Sequence, residues 1–144
     1  MHDDPKVLSC SLDNTIRLWD AKEMQTISVL ESPEHSEISC MAFLPNCCLV
    51  ATGHEDAQIR LWNLDINQSI VLKAQNEKLK HTNNISCVKG IIWKKAEYLI
   101  AGSYDGRVSI WEISEQRTPS QNSKTLSSIF PQLKSFIDNT KASN

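Results

Sequence analysis

One short strand, used three times, constrains this chain more than any other feature. Thr15–Asp20 reads Thr-Ile-Arg-Leu-Trp-Asp, and near-copies follow at Ala57–Asn63 and Gly106–Glu112. Trp19, Trp62 and Trp111 lie 43 and 49 residues apart, and an aspartate (Asp13, Asp56, Asp105) stands six residues before each. A brief apolar run precedes each aspartate: Val7–Ser11, Leu49–Thr52 and Leu99–Ser103. A fixed internal period of 40-odd residues is the mark of a repeat architecture, so the chain is read as repeated units.

Each unit reads as strand, tight turn, strand. Asp13-Asn14 and Asp105-Gly106 are good hairpin dipeptides, because the second residue tolerates positive φ; Asp56-Ala57 is weaker. The following strand alternates with period two, Ile16 and Leu18 facing one way and Arg17 and Trp19 the other. An upstream strand also repeats, Ile38–Phe43 matching Ile85–Val88, and outer strands are expected at Thr26–Leu30 and Ser69–Leu72. Four short antiparallel strands per unit describe blades stacked side by side, hence an all-β chain with an incomplete propeller of about three blades.

These residues resemble the WD-repeat family of β-propellers. The resemblance rests on Trp19-Asp20, on the variants Trp62-Asn63 and Trp111-Glu112, and on the Ser-x-Asp elements before them, over roughly Lys6 to Ile113. It implies one hydrogen-bonded network per blade, built from a histidine, a strand hydroxyl, the turn aspartate and the tryptophan. Carried over, His81 joins Ser103, Asp105 and Trp111; His35 joins Thr52, Asp56 and Trp62; Asp13 and Trp19 mark the first blade. The glycine that the family places before the histidine is Glu34 or Lys80 here. A buried indole N–H and a buried carboxylate are tolerable only when paired, which favours a structural network over a catalytic His81–Asp105 couple. The family further implies partner contacts through the residue before each turn aspartate: Leu12, Glu55 and Tyr104.

Composition narrows function. Fifteen basic residues against 17 acidic ones, a net charge of −2, give no basic stripe for nucleic acid. No apolar run approaches the roughly 20 residues of a membrane span, and Met1–Lys6 carries two acids and no hydrophobic region, so no secretory signal is expected. Five cysteines without C-x-x-C suit structural thiols in a reducing compartment, and the sequons at Asn67 and Asn84 are taken as chance matches. His2, His35, His54 and His81 share no ligand spacing, and no glycine-rich phosphate loop occurs. The expectation is no enzyme, cofactor, metal or small-molecule substrate, but an intracellular, cytoplasmic scaffold for other proteins, with a ciliary complex as a weaker alternative.

Blades are placed at about 1–30, 31–73 and 80–113. The first lacks its innermost strand, so the chain is expected to be a fragment of a longer propeller; the alternatives are closure against other chains and a truncated product with no independent fold. The connection Lys73–Asn84 is read as a solvated loop, with a binding loop as the alternative. Residues 114–125 read as a polar linker, with Thr118-Pro119 a candidate phosphorylation site. Leu126, Ile129, Phe130, Leu133, Phe136 and Ile137 share one helical face, so a short amphipathic helix over 126–138 is expected, packed on the protein or presented to a partner, before a disordered 139–144.

Overall fold

The computed structural model describes residues 5–32, 34–73, 80–114 and 132–138. All of its regular structure is strand. The first sheet holds β1 (Lys6–Cys10), β2 (Thr15–Asp20) and β3 (Gln25–Glu31); the second holds β4 (Ile38–Leu44), β5 (Leu49–His54), β6 (Ile59–Asn63) and β7 (Gln68–Val71). The third holds β8 (Ile85–Trp93), β9 (Ala96–Ser103), β10 (Val108–Ser114) and β11 (Gln132–Asp138). Every pairing is antiparallel between sequence neighbours, giving successive blades of a β-propeller.

The blades pack face to face, and the strand compositions follow from that. One core lies between the first and second blades and contains Ile16, Leu30, Ile38, Val50 and Trp62, with Leu8, Cys10 and Met41 against it. The other lies between the second and third and contains Leu44, Leu49, Ala51, Leu61, Ile85, Leu99 and Trp111. β5 is covered on both faces, and all six of its residues are buried. That is why Leu49-Val50-Ala51-Thr52 reads as a continuous run rather than an alternation. In β9 burial alternates, with Glu97, Leu99 and Ala101 turned to the second blade and Tyr98 and Ile100 half-exposed on the far side.

The joint between the second and third blades is close. The Ser39 hydroxyl donates to the carbonyls of Gly53 (3.0 Å) and Ile85. A β-carbon on Gly53 would lie 2.5 Å from both Cys40 Sγ and Ile85 Cγ2, so only glycine fits there. Gly90 is similar, since a β-carbon would meet Leu44 Cδ2 at 2.8 Å.

At the C-terminal end the structure differs from the sequence expectation. Gln132–Asp138 is not helical but forms β11, the fourth strand of the third blade, paired with β10 from Val108↔Asp138 to Ser114↔Gln132. The helical spacing of Leu133, Phe136 and Ile137 loses to the row of main-chain groups along β10, which only a strand can satisfy. The linker 115–125 and the helical positions 126–131 lie outside the described residues, as do 139–144. Among the described residues no helix is long and apolar enough to cross a membrane.

Candidate functional site

Each blade turns on an aspartate, between β1 and β2, between β5 and β6, and between β9 and β10. Asp13, Asp56 and Asp105 accept the amide of the residue two positions on: Thr15 at 3.0 Å, Gln58 at 3.1 Å and Arg107 at 2.9 Å. The next backbone position is left-handed in all three, with φ of 70° at Asn14, 65° at Ala57 and 76° at Gly106. Asx turns and left-handed residues are the local chemistry that an Asp-Asn or Asp-Gly pair supplies, and Ala57 adopts the same geometry against its β-carbon's preference.

Behind each turn the tryptophan donates its indole N–H to a hydroxyl: Trp19 to Ser9 (2.9 Å), Trp62 to Thr52 (2.7 Å) and Trp111 to Ser109 (3.1 Å). In the second blade the bonds continue in one direction. Thr52 Oγ1 lies 2.8 Å from His54 Nε2, and His54 Nδ1 lies 3.0 Å from the Ser36 carbonyl. A carbonyl only accepts, so Nδ1 carries the proton, Nε2 accepts from Thr52, and every group in the chain is paired. Burial first, and the Arg60 charge second, push the His54 pKa down to about 4. The imidazole is neutral at pH 7.

The third blade builds the same chain from other residues. Ser109 Oγ lies 2.8 Å from His81 Nε2, and His81 Nδ1 lies 3.0 Å from Asp105 Oδ2. Asp105 also accepts the Thr82 amide at 3.0 Å. Burial works to raise the Asp105 pKa, but the amides of Thr82 and Arg107 and the His81 hydrogen bond outweigh it and leave the carboxyl below its ordinary value.

The remaining turn aspartates take arginine instead. Arg60, 1% exposed, places NH2 2.7 Å and NH1 3.3 Å from the two Asp56 oxygens, and its Nε lies 3.2 Å from Glu34. Burial works to raise the Asp56 pKa, but the Arg60 bonds and charge lower it overall. Arg17 approaches Asp13 at 3.8 Å in the same i,i+4 relation. Where the third blade has Ser109 in place of an arginine, His81 serves the aspartate.

The structure therefore brings together Thr52 with Trp62, and His81 with Asp105 and Trp111. Asp56 stands apart from the Thr52–Trp62 bond, held by Arg60. His35 lies exposed with φ of 51°, and His54 holds the place expected of it, because His54 ends β5 beside Thr52. Ser103 instead donates to the Asn83 carbonyl at 2.8 Å, and Ser109 supplies the hydroxyl. Cross-strand register explains the exchange: Ser9 pairs Arg17, Thr52 pairs Arg60, and Ala101 pairs Ser109. The hydroxyl sits on whichever strand lacks the larger or apolar partner. Arg60, His54, Ser9 and Ser109 escaped the sequence reading, although an arginine four residues after the aspartate in only two repeats is a signal for the division of labour.

Asp105, His81 and Ser109 have the order of a nucleophilic triad, yet the geometry withholds that chemistry. Ser109 is fully buried and its oxygen already accepts the Trp111 N–H, so no substrate carbonyl can approach it. Among the described residues no group of three His, Cys, Asp or Glu side chains could hold a metal. A cleft of about 450 Å3 beside Lys95 and Glu112 has the buried Glu97 in its wall, where the carboxylate accepts the amides of Asn46 (3.3 Å) and Cys47 (3.2 Å) and ties the second blade to the third. All five cysteines are free thiols.

In front of the turns stand Leu12, Glu55 and Tyr104, one from each blade and all exposed, Tyr104 at 72%. The main chain behind two of them is fixed: Glu55 N–H donates to the Glu37 carbonyl (3.1 Å) and Tyr104 N–H to that of Asn84 (3.0 Å).

Comparison with known proteins agrees with this architecture. The family model described as WD domain, G-beta repeat matches residues 1–20, 24–63 and 74–112. Mitochondrial division protein 1 of Saccharomyces cerevisiae is 28% identical over 113 residues, covering 71% of this chain and 16% of that protein. Ribosome biogenesis protein WDR12 homolog of Aedes aegypti is 23% identical over 123 residues, covering 74% of this chain and 29% of that protein. Transcription initiation factor TFIID subunit 5 of Caenorhabditis elegans is 23% identical over 109 residues, covering 76% and 16%. The chain thus spans less than a third of the length of these relatives. Three matched repeats, each realised as a blade turning on an aspartate and locked by a tryptophan, make this chain a member of the WD-repeat family.

Proposed function

We propose that this chain is a non-catalytic scaffold that binds other proteins through the turn end of its blades, with Leu12, Glu55 and Tyr104 as contacts. One observation carries the reading. Three exposed side chains, two of them large and apolar, project from turns whose backbones are fixed by internal hydrogen bonds. A side chain held on a rigid turn loses little freedom when a partner covers it, which is what an interface anchor needs. The relatives support the class: one is by name a subunit of a multi-subunit factor. The buried histidines support a structural rather than catalytic use of the repeated polar residues.

A photo-crosslinking amino acid placed at position 104 in cells tests the proposal. Crosslinks to a discrete set of polypeptides, lost when Leu12 is changed to Glu, are expected. An absence of crosslinks from position 104, with crosslinks from a control on the outer strand β3, would count against the turn face.

A further inference from the structure

We infer that the cleft between the second and third blades binds the guanidinium group of an arginine presented by another polypeptide, with Glu97 receiving it. The cleft lies at the opposite end of the strands from Glu55 and Tyr104, so this reading and the turn-face proposal can fail separately.

The cleft, of about 450 Å3, opens where the turn from β4 to β5 meets the start of β9 and the end of β10. Asn46, Cys47, Lys95, Glu97 and Glu112 line it. Both flanking blades carry four strands. Glu97 shares the β9 face of Leu99 and Ala101, turned to the second blade. The register shows that the repeat itself does not require a carboxylate there. Val7, Val50 and Leu99 each pair with their blade's tryptophan, and two residues before them stand Pro5, Cys48 and Glu97. The turn aspartate and the tryptophan recur in every blade; this acid occurs once.

Its charge is also handled differently from the other buried ones. Glu97 is 2% exposed. Its Oε1 accepts the Asn46 amide at 3.3 Å and its Oε2 the Cys47 amide at 3.2 Å. Among the described residues no Lys, Arg or His nitrogen lies within 4.0 Å of it. Arg60, by contrast, meets both Asp56 and Glu34, and Asp105 meets His81. A buried carboxylate is stabilised most by a cation that also fills its remaining acceptor sites. Each oxygen offers two such sites and uses one, so one is left on each. That pair matches the parallel N–H groups of a guanidinium, which also leaves water at lower cost than an ammonium does. Glu112 adds a second negative charge beside the site. A polypeptide is the fitting source because of Ile92. It stands opposite Glu97 on β8, on the same face, and is 54% exposed, so an apolar residue flanking the arginine would cover it.

The test titrates acetyl-Leu-Arg-Leu-amide, its lysine and citrulline counterparts, and free arginine onto the whole protein. Amide 15N and 1H shifts of Asn46 and Cys47 are the readout. Saturable binding of the arginine peptide is expected, the lysine peptide being about threefold weaker and the citrulline peptide and free arginine at least about tenfold weaker. Glu97→Gln keeps the size, removes the charge, and is expected to weaken the arginine peptide at least about tenfold. The Trp62 and Trp111 indole signals show whether that variant is folded. Should it unfold, Glu112→Gln takes its place, with an expected loss of about threefold. Four results would each overturn the proposal: no saturable shift with the arginine peptide, equal affinity for the citrulline peptide, affinity unmoved in the folded variant, or shifts confined to Asn84 and Tyr104. Free arginine binding as tightly as the peptide would overturn the polypeptide source.

Discussion

Thr52 and Ser109 stand on opposite strands of their blades, yet each receives the indole N–H of its blade's tryptophan and lies 2.8 Å from a histidine Nε2. Cross-strand partners are interchangeable sources of a hydroxyl because both project to the same face at the same height. Ala101 opposite Ser109 marks the vacated place.

Moving that hydroxyl back is a direct perturbation. Ser109→Ala leaves the Trp111 N–H and a His81 nitrogen without their partner and should cost about 1–3 kcal/mol in denaturant unfolding. Adding Ala101→Ser should recover at least half of the loss. No recovery would mean the two positions are not equivalent.

Acid should weaken the second blade before carboxylates titrate. His54 has a folded pKa of about 4 against an ordinary 6.5, so the unfolded chain binds more protons between these values. Stability is full above pH 6.5, falls as pH drops toward 4, and loses roughly 2–3 kcal/mol in that window. Below it, Asp56 and Asp105, whose pKa values are lowered, add a second loss as they protonate. Urea midpoints across pH 4 to 7 check this, and His54→Gln should flatten the first slope only.

Much of this was legible from residue order alone, and what was not has a physical cause. The turn aspartates and tryptophans announce themselves because a hairpin turn and a period-two strand are local properties. His35 and Ser103 were the expected network members; the residues that hold those places, His54 and Ser109, are set by register across strands, which spacing along the chain does not encode. Arg60 shares the strand face of Trp62 and is buried because the first blade covers that face, a contact that spacing within one strand does not encode. The strand at Gln132–Asp138 was hidden for a related reason, since an open edge on β10 outweighs a helical pattern.

Arg60 should be among the most sensitive positions. Arg60→Leu removes both guanidinium hydrogen bonds to Asp56, whose carboxylate stays within reach of water, and should cost about 1–3 kcal/mol. Pairing it with Asp56→Asn should return part of that loss. Thermal unfolding of the two variants decides, and an Arg60→Leu protein as stable as wild type would contradict the burial.

Ala57 predicts a gain. Its φ of 65° is a place where glycine is favoured by about 1 kcal/mol, so Ala57→Gly should raise the unfolding midpoint. Gly53→Ala should do the opposite, by about 1–3 kcal/mol, since its β-carbon would enter the joint at 2.5 Å from Cys40 Sγ and Ile85 Cγ2.

The shared Trp–hydroxyl lock is the centre of this account, and indole N–H exchange measured by 15N NMR reads it residue by residue. Trp62 and Trp111 are nearly buried and hydrogen-bonded, Trp19 is bonded but half-exposed, and Trp93 is 57% exposed beneath Lys94. Exchange should be slow at Trp62 and Trp111, intermediate at Trp19 and fast at Trp93. Equal, rapid exchange at all four would contradict it, because no blade would then be locked.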